Sequence, residues 1–526
     1  MHVIGNLDAG HALVGDDATL YLDPDTGETT TYGEAVAFTH RFAHAVAAHG
    51  YGPETHIATI AQNSILMHEV YLGISRSDAR WVPINSRSGV AETLDLVTRF
   101  HVDVLFHDPD MTEIADRVRR EAPHVELVPL TREAVNAWIG DVSDEPFVTS
   151  ALDTDVHEIS STGGTTGLPK GVPQTHVGVN FIPDRLTEIF PVRRTARSPR
   201  PVYLASSPLS HAAGRMFLYA VRHGAEVVIV PGATPARIVE LFERHGATLA
   251  WLPPTVVYGM LDVPGVEDHD FSALQYIVYG ASPMSPGKLA RALKVFGPVF
   301  AQIYGQNETG WDLYMTPAEH LQDGDPAKGP ASDFRLSAAG RVPPSVDLIL
   351  VDDDGRIVPK GEVGEIAVAC DGNTPGYYRD PETTAKSRLR IGDVEYHLTA
   401  DVAFEDDEGF FHIVDRKKDM IITGGFNVYS AEVEKQVLAF PGIAECAVFG
   451  IPDDKWGEAV TAAIELSPGA EVDPEALKAF VREALGPVKT PKHVVVHEQL
   501  PRNTNGKILK RELRQEYWAD RTRMVG

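Results

Sequence analysis

STGGTTGLPKG, residues 161–171, interleaves glycines with the hydroxyls of Ser161, Thr162, Thr165 and Thr166 and closes on Lys170 and Gly171. Glycine lets backbone N–H groups approach an anion closely, hydroxyls add donors, and the lysine adds positive charge. The stretch is therefore a candidate phosphate cradle, with a flexible surface linker as the competing reading. A P-loop needs glycine directly before its lysine and Ser or Thr after it, where this chain has Pro169 and Gly171. The spacing also lacks the G-x-G-x-x-G of a dinucleotide fold. Neither common nucleotide pattern applies, so the rest of the chain must decide.

The chain has 526 residues, too many for one ordinary core and enough for several domain-sized pieces. With 43% hydrophobic and 23% charged residues the balance is that of a folded globular protein. A formal net charge of −27 repels phosphate backbones and anionic bilayers, which argues against nucleic acid and membrane as partners. A polyanionic ligand then needs a local positive site. Cys370 and Cys446 stand far apart without metal-ligand spacing, so a disulfide framework is excluded and a reducing compartment fits. The opening MHVIGNLDAGHALVGDD has no signal-peptide pattern and no run of eighteen apolar residues occurs, so the expected location is cytoplasmic. The 21 histidines are scattered, with no H-E-x-x-H, and His40, His44 and His49 read as a solvated helix face.

Between Thr31 and Gly50, Val36, Phe38, Phe42, Ala45 and Val46 recur at helical spacing. Apolar runs at 56–61, 80–85 and 103–108, and again at 225–230, 247–254 and 274–280, alternate with helix-like segments. This predicts an α/β fold whose large N-terminal domain contains two α/β layers of parallel strands and helical crossovers. VDLILVDDDGRIVPKGEVGEIAVA, from Val346, breaks two apolar runs with Asp-Gly and predicts a small antiparallel β unit. The charged run 415–420, DRKKDM, reads as a linker. Beyond it, a helix at 431–439, strands at 444–450 and 460–466 and a helix at 474–485 predict a small α+β C-terminal domain. The expected division is 1–416 and 417–526.

Three further stretches join glycine turns to charge. YGQNETG (304–310) puts an aromatic ring, amides and a carboxylate together, suited to a base and a metal. LTADVAFEDDEGFFHIVDRKKD (398–419) sets Asp401 and Arg416 on either side of a hairpin turn, where they could grip a ribose. PRNTNGKILKREL (501–513) presents Lys507 after Asn-Gly on a tight turn. Each alone reads more readily as structural.

Together, in this order, they resemble the adenylate-forming enzymes, which include acyl- and aryl-CoA ligases, luciferases and peptide-synthetase adenylation domains. The resemblance covers most of the chain, including TTTYGEAVAFTHRFAHAVAAHG, PINSR and IPDDKWGEAVTAAI. It implies a loop over the β- and γ-phosphates of ATP, matched by Thr162, Gly164, Thr165, Thr166, Gly167 and Lys170; Gly163 departs from a usual hydroxyl residue but keeps its amide. Gly280, Ala281 and Ser282 of GASP match the segment along adenine, Tyr304 the stacking aromatic beside Gly305, and Glu308 the carboxylate for Mg²⁺. Asp401 and Arg416 match the ribose clamp, and Lys507 the lysine between the attacking oxyanion and the α-phosphate. Asn307 stands where threonine meets the α-phosphate.

The implied chemistry is attack of a carboxylate on the α-phosphorus with loss of pyrophosphate, then transfer to CoA with loss of AMP. Lys507 and Glu308, through Mg²⁺, act as electrostatic stabilisers. The family turns its mobile C-terminal domain about a linker residue matched by Lys418, and Gly424 and Gly425 match the loop beside the thiol channel. GGFNVYSAEVE (424–434) resembles the acyl-CoA ligase branch, although Ser430 stands where proline is usual and Phe426 where glutamate is often found. His211 matches the residue at the mouth of the acyl pocket, with a packed core histidine as the alternative. Trp251, Tyr279, Trp311 and Met315 could wall that pocket. Expected partners are a small acid or oxyanion and CoA or another acceptor, with a monomer or homodimer as the assembly. The altered Asn307 and Gly163 leave room for a diazotase that activates nitrite for an aromatic amine, and loading of a carrier protein is a further alternative. A P-loop-like phosphotransferase is opposed by Pro169, and a nucleotide sensor by the presence of both Lys507 and Glu308.

Overall fold

The computed structural model describes residues 1–162, 169–194, 198–210, 212–502 and 508–518. By contact the chain divides into two compact units, Met1–Leu348 with Val368–His397, and Ile349–Ala367 with Leu398–Gly526.

The apolar runs of the first unit build two sheets. In the six-stranded sheet, Glu126–Pro129, Val104–His107, His56–Ile60, Arg80–Ile84 and Val156–Thr162 lie parallel, and Lys170–Thr175 closes the edge antiparallel. The eight-stranded sheet runs Leu313–Met315, Phe300–Tyr304, Tyr276–Tyr279, Leu249–Trp251, Val202–Ala205, Glu226–Ile229, Thr19–Leu22 and Thr29–Thr31, parallel except at its two edges. One core, with Ile57, Trp81 and Phe106 from one sheet and Tyr203, Val227 and Val278 from the other, fills the space between them. Leu204, Val228 and Ile277 face a second core on the outer side of the larger sheet, and Ala58, Val82 and Leu105 a third on the outer side of the smaller one. Strand residues buried on both faces explain why these runs are apolar without alternation.

Helix Tyr32–Ala48 starts where the sequence suggests, with Thr31 and Glu34 forming a reciprocal capping box. Helix Ile65–Arg76 is buried along all of its length. Its charges are paired, Glu69 with Arg132 and Arg76 with Asp8, both at 2.5 Å. His68 on the same helix has no partner for either ring nitrogen among the described residues, and burial drives its pKa from 6.5 to about 3, so it is neutral.

In the second unit the expected Asp-Gly turn is present: Gly355 has φ 77° and the Asp352 N–H donates to the Arg356 carbonyl. Strands Ile443–Asp453 and Gly457–Leu466 pair antiparallel, and Phe426–Val428, Ile421–Thr423 and His493–His497 complete a five-stranded sheet. Helices Ser430–Leu438 and Pro474–Lys489 cover the face with Val448 and Val460. Helix Lys510–Trp518 packs Leu513 on the other face, against Phe449 and Ala463. The charged run read as a linker is partly strand: Phe411–Arg416 includes Asp415 and Arg416, because Val402 and Asp401 pair with them across the ladder.

Candidate active site

Parallel sheets gather chemistry at the carboxyl ends of their strands, and the first unit follows that rule. The opening stretch is a hairpin connection: Thr162 and Lys170 are the last register pair before it. Gly163, Gly164, Thr165, Thr166 and Gly167 lie outside the described residues, as do His211 and Lys507. Lys170 places its ammonium 4.9 Å from the Tyr377 ring centroid, a cation–π distance. The Tyr377 hydroxyl in turn donates to Glu308 Oε1 at 3.0 Å. Burial, reinforced by the Glu308 charge, holds the Tyr377 pKa well above its usual value, so the phenol keeps the proton it donates.

Glu308 follows strand Phe300–Tyr304 and is 8% exposed. The turn that carries it closes by Gly310 N–H to the Gln306 carbonyl at 2.8 Å. Its backbone is gripped twice more: the Thr374 N–H donates to the Glu308 carbonyl at 2.7 Å, and the Gln174 side-chain amide donates to the Asn307 carbonyl. Gly305 is required here, because a Cβ would sit 2.1 Å from the Gly310 carbonyl oxygen. Gly280, after strand Tyr276–Tyr279, is equally confined, with the Ile303 carbonyl oxygen 2.4 Å from any Cβ. Ala281 then takes a left-handed φ of 65°, and Ser282 is exposed. Tyr304, at the end of its strand, is partly exposed.

The four residues expected to wall an acyl pocket divide between the two faces of the larger sheet. Trp251 and Trp311 belong to the core between the sheets, Trp311 donating its indole N–H to the Leu313 carbonyl at 2.7 Å. Tyr279 points to the outer face, where its hydroxyl lies 2.7 Å from Gln302 Oε1 and 2.9 Å from His320 Nε2. Met315 is the register partner of Gln302, which places it on that outer face as well. The period of two was available in the sequence: Val278 aligns with Trp251, so its neighbour Tyr279 faces the other way.

In the second unit Asp401 and Arg416 are direct cross-strand partners, with Arg416 Nε 3.2 Å from Asp401 Oδ1. Lys418 offers its carbonyl to Arg514 at 3.3 Å, and the Arg514 guanidinium also pairs with Asp419 at 3.5 Å. Gly424 and Gly425, with φ of 59° and 82°, form the two-residue turn between Ile421–Thr423 and Phe426–Val428. A Cβ at Gly424 would lie 2.8 Å from the indole of Trp456. Trp456 and Phe426 are 42% and 61% exposed, unusual for rings of that size.

Tyr377, Gln174, Thr374 and Trp456 are contributions that sequence reasoning missed. Thr374 and Tyr377 come from DGNTPGYY and Trp456 from the quoted IPDDKWGEAVTAAI, but each reaches its site residue from a distant segment, so spacing alone did not connect them.

A glycine-shaped strand-end cradle around a buried carboxylate, with a glycine-punctuated α+β unit following it, defines an adenylate-forming fold. The model of the AMP-binding enzymes matches residues 11–378 and that of the AMP-binding enzyme C-terminal domain residues 432–507, and the chain belongs to this family. It is an AMP-forming ligase of the acyl-CoA synthetase kind. Medium/long-chain-fatty-acid–CoA ligase FadD8 of Mycobacterium tuberculosis is 37% identical over 390 residues, 73% of this chain and 65% of that protein. Fatty acid–[acyl-carrier-protein] ligase ScoC of Streptomyces coeruleorubidus is 32% identical over 95% of this chain and 94% of its own length. Feruloyl-CoA synthase of an Amycolatopsis species is 31% identical over 93% and 94%. Among solved structures, ATP-bound MatB from Rhodopseudomonas palustris superposes with a TM-score of 0.86 at 25% identity, covering 99% of each chain.

Proposed function

We propose that the chain converts a carboxylic acid to its acyl-adenylate and passes the acyl group to the thiol of CoA. The observation that carries this reading is the Lys170–Tyr377–Glu308 array, in which one tyrosine has a phosphate-loop cation over its ring and a buried carboxylate at its hydroxyl. In the first step a carboxylate oxygen of the substrate attacks the α-phosphorus and pyrophosphate leaves. Lys507 stabilises the charge on the pentavalent centre, a contribution of roughly 2–4 kcal/mol for a donor of this kind. In the second step the CoA thiolate attacks the acyl carbonyl and AMP leaves.

Glu308 fits Mg²⁺: it is a hard oxygen donor, buried, oriented by Tyr377, and Mg²⁺ characteristically takes one or two carboxylates with phosphate oxygens and water filling its other positions. When bound there, Mg²⁺ supplies neutralisation of phosphate charge. Gly280–Ser282 and Tyr304 hold the adenine, Asp401 and Arg416 the ribose hydroxyls, and Thr162 with the loop following it the phosphates. Gly424 and Gly425 border the thiol path, where the exposed rings of Trp456 and Phe426 offer stacking surface to an adenine-bearing acceptor. His211 stands at the acyl entrance, with Trp251 and Trp311 as the walls retained for the pocket; Tyr279 and Met315, on the opposite face of the sheet, are left out of it. The working division is 1–416 and 417–526, with Lys418 as pivot, in a cytoplasmic monomer or homodimer.

The test is product analysis. ATP with a panel of acyl and aryl carboxylates should yield AMP and pyrophosphate, with thioester formed only when CoA is added; ADP as product sinks the proposal. Loading of a carrier protein in place of CoA would move the acceptor toward that of ScoC. Asn307 bears on a second reading, since an amide presents two donors and an acceptor where a single hydroxyl is usual. AMP release only with nitrite and an aminoarene would assign the chain as a diazotase.

A further inference from the structure

Ser430 begins helix Ser430–Leu438, a position where proline is well tolerated because the first-turn N–H has no partner within the helix. Here the serine uses both groups that proline lacks. Its N–H donates to Asp415 Oδ2, and its Oγ accepts from Lys510 Nζ at 2.6 Å. Lys510 also pairs with Glu434 at 2.7 Å. Asp415 spends its second oxygen on the Arg416 N–H at 2.7 Å, and only 7% of it is exposed. Burial opposes the Lys510 charge, but Glu434, Asp415 and Asp419 outweigh it and raise the lysine pKa, so the ammonium keeps its proton, while burial also raises the Asp415 and Glu434 carboxyls.

Position along the chain gives this cluster its meaning. Asp415 precedes Lys418, whereas Ser430, Glu434 and Lys510 follow it. Four residues beyond Lys510, on the same helix face, Arg514 holds the Lys418 carbonyl and the Asp419 carboxylate. A turn of the backbone at Lys418 must therefore part Asp415 from Ser430 and Lys510. We propose that Ser430 and Lys510 form a latch on Asp415 across Lys418, and that this latch sets the balance between the adenylation and thioester half-reactions. The proposal rests on the reading of Lys418 as the pivot. Ser430 is a positioning residue in it and touches no substrate.

Single-turnover measurement of each half-reaction tests the latch. Ser430→Pro removes the N–H and the Oγ together, and the extended backbone of Tyr429, φ −82° and ψ 121°, already suits a following proline. The ratio of the adenylation rate to the thioester rate should move by about threefold or more. Ser430→Ala keeps the N–H, and its ratio should move less and in the same direction. If both half-reactions of Ser430→Pro scale together while the melting temperature falls, the contacts are only structural and the latch is overturned. Opposite shifts in the two variants overturn it as well. Lys418→Pro separates the two levels of the argument: equal loss in both half-reactions removes the pivot, whereas a split there with an unchanged ratio in Ser430→Pro removes the latch alone.

Discussion

The two units hold their functional residues by different means. In the first, the candidate groups stand on turns at strand ends, shaped by close backbone approach at Gly280 and Gly305 and by a left-handed Ala281. In the second, apart from the Gly424–Gly425 turn, Asp401 faces Arg416, Asp419 faces Arg514, and Asp415 accepts from the Ser430 N–H beside Lys510, so position is set mainly by charged side chains. Backbone shape fixes a turn through contacts that no side chain can replace, whereas a buried charge pair holds two segments together and is costly to part without a substitute partner.

The largest expected effect tests the second unit's dependence on individual side chains. Lys507→Ala should reduce adenylation about 100-fold to 1,000-fold, with melting temperature and ATP binding nearly unchanged; retention of more than about a tenth of the rate removes the lysine from the mechanism. Gly305→Ala probes the backbone cradle of the first unit. The added methyl meets the Gly310 carbonyl, so stability should fall by about 1–3 kcal/mol and the KM for ATP should rise. An unchanged melting temperature would show that the turn is not close-packed.

A smaller effect is expected from Tyr377→Phe. It deletes one hydrogen bond to a carboxylate while leaving the ring beneath Lys170, and kcat/KM for ATP should fall by about fivefold to tenfold. Phe in place of Tyr should leave the acid panel's order of preference intact, since the contact is to Glu308.

The smallest effect concerns acid stability of the first unit. Burial lowers the pKa of His320 from 6.5 to about 4, and its Nδ1 donates to the Thr316 carbonyl while its Nε2 faces the Tyr279 hydroxyl. The unfolded chain thus binds a proton that the native state refuses, so the contribution is complete above pH 6.5 and is lost as pH falls from there towards 4. His176, lowered to about 4 mainly by burial, acts in the same sense. The melting temperature should decline over that window, and His320→Gln should make the decline shallower. A slope that does not change on substitution would count against the assignment.

Six of the parallel strands, those at 56–61, 80–85, 103–108, 225–230, 247–254 and 274–280, were legible because burial on both faces leaves near-continuous apolar runs, whereas the short Thr19–Leu22, Glu126–Pro129 and Val202–Ala205 passed unread. Strands Val156–Thr162 and Lys170–Thr175 were not legible either, since HEISST and KGVPQT carry the polarity of the loop they support. Asp401 and Arg416 were legible as a pair because a hairpin turn fixes which residues oppose each other. The Lys510–Ser430–Asp415 cluster was not, because it joins three segments that only tertiary packing brings together. The side of the sheet taken by Tyr279 could have been found from alternation and was missed because the aromatic residues were grouped by type.

The strand Thr19–Leu22 has its parallel partner in Glu226–Ile229, about 200 residues further along the chain. During synthesis at roughly 5–20 residues per second, the N-terminal strand therefore waits about 10–40 s before its neighbour exists. Until then the strand has only its antiparallel neighbour Thr29–Thr31 in this sheet, although Leu20 and Tyr21 are completely buried in the finished fold. The order of strands in the larger sheet thus fixes an order of events, in which this edge of the N-terminal strand is made early and completed late.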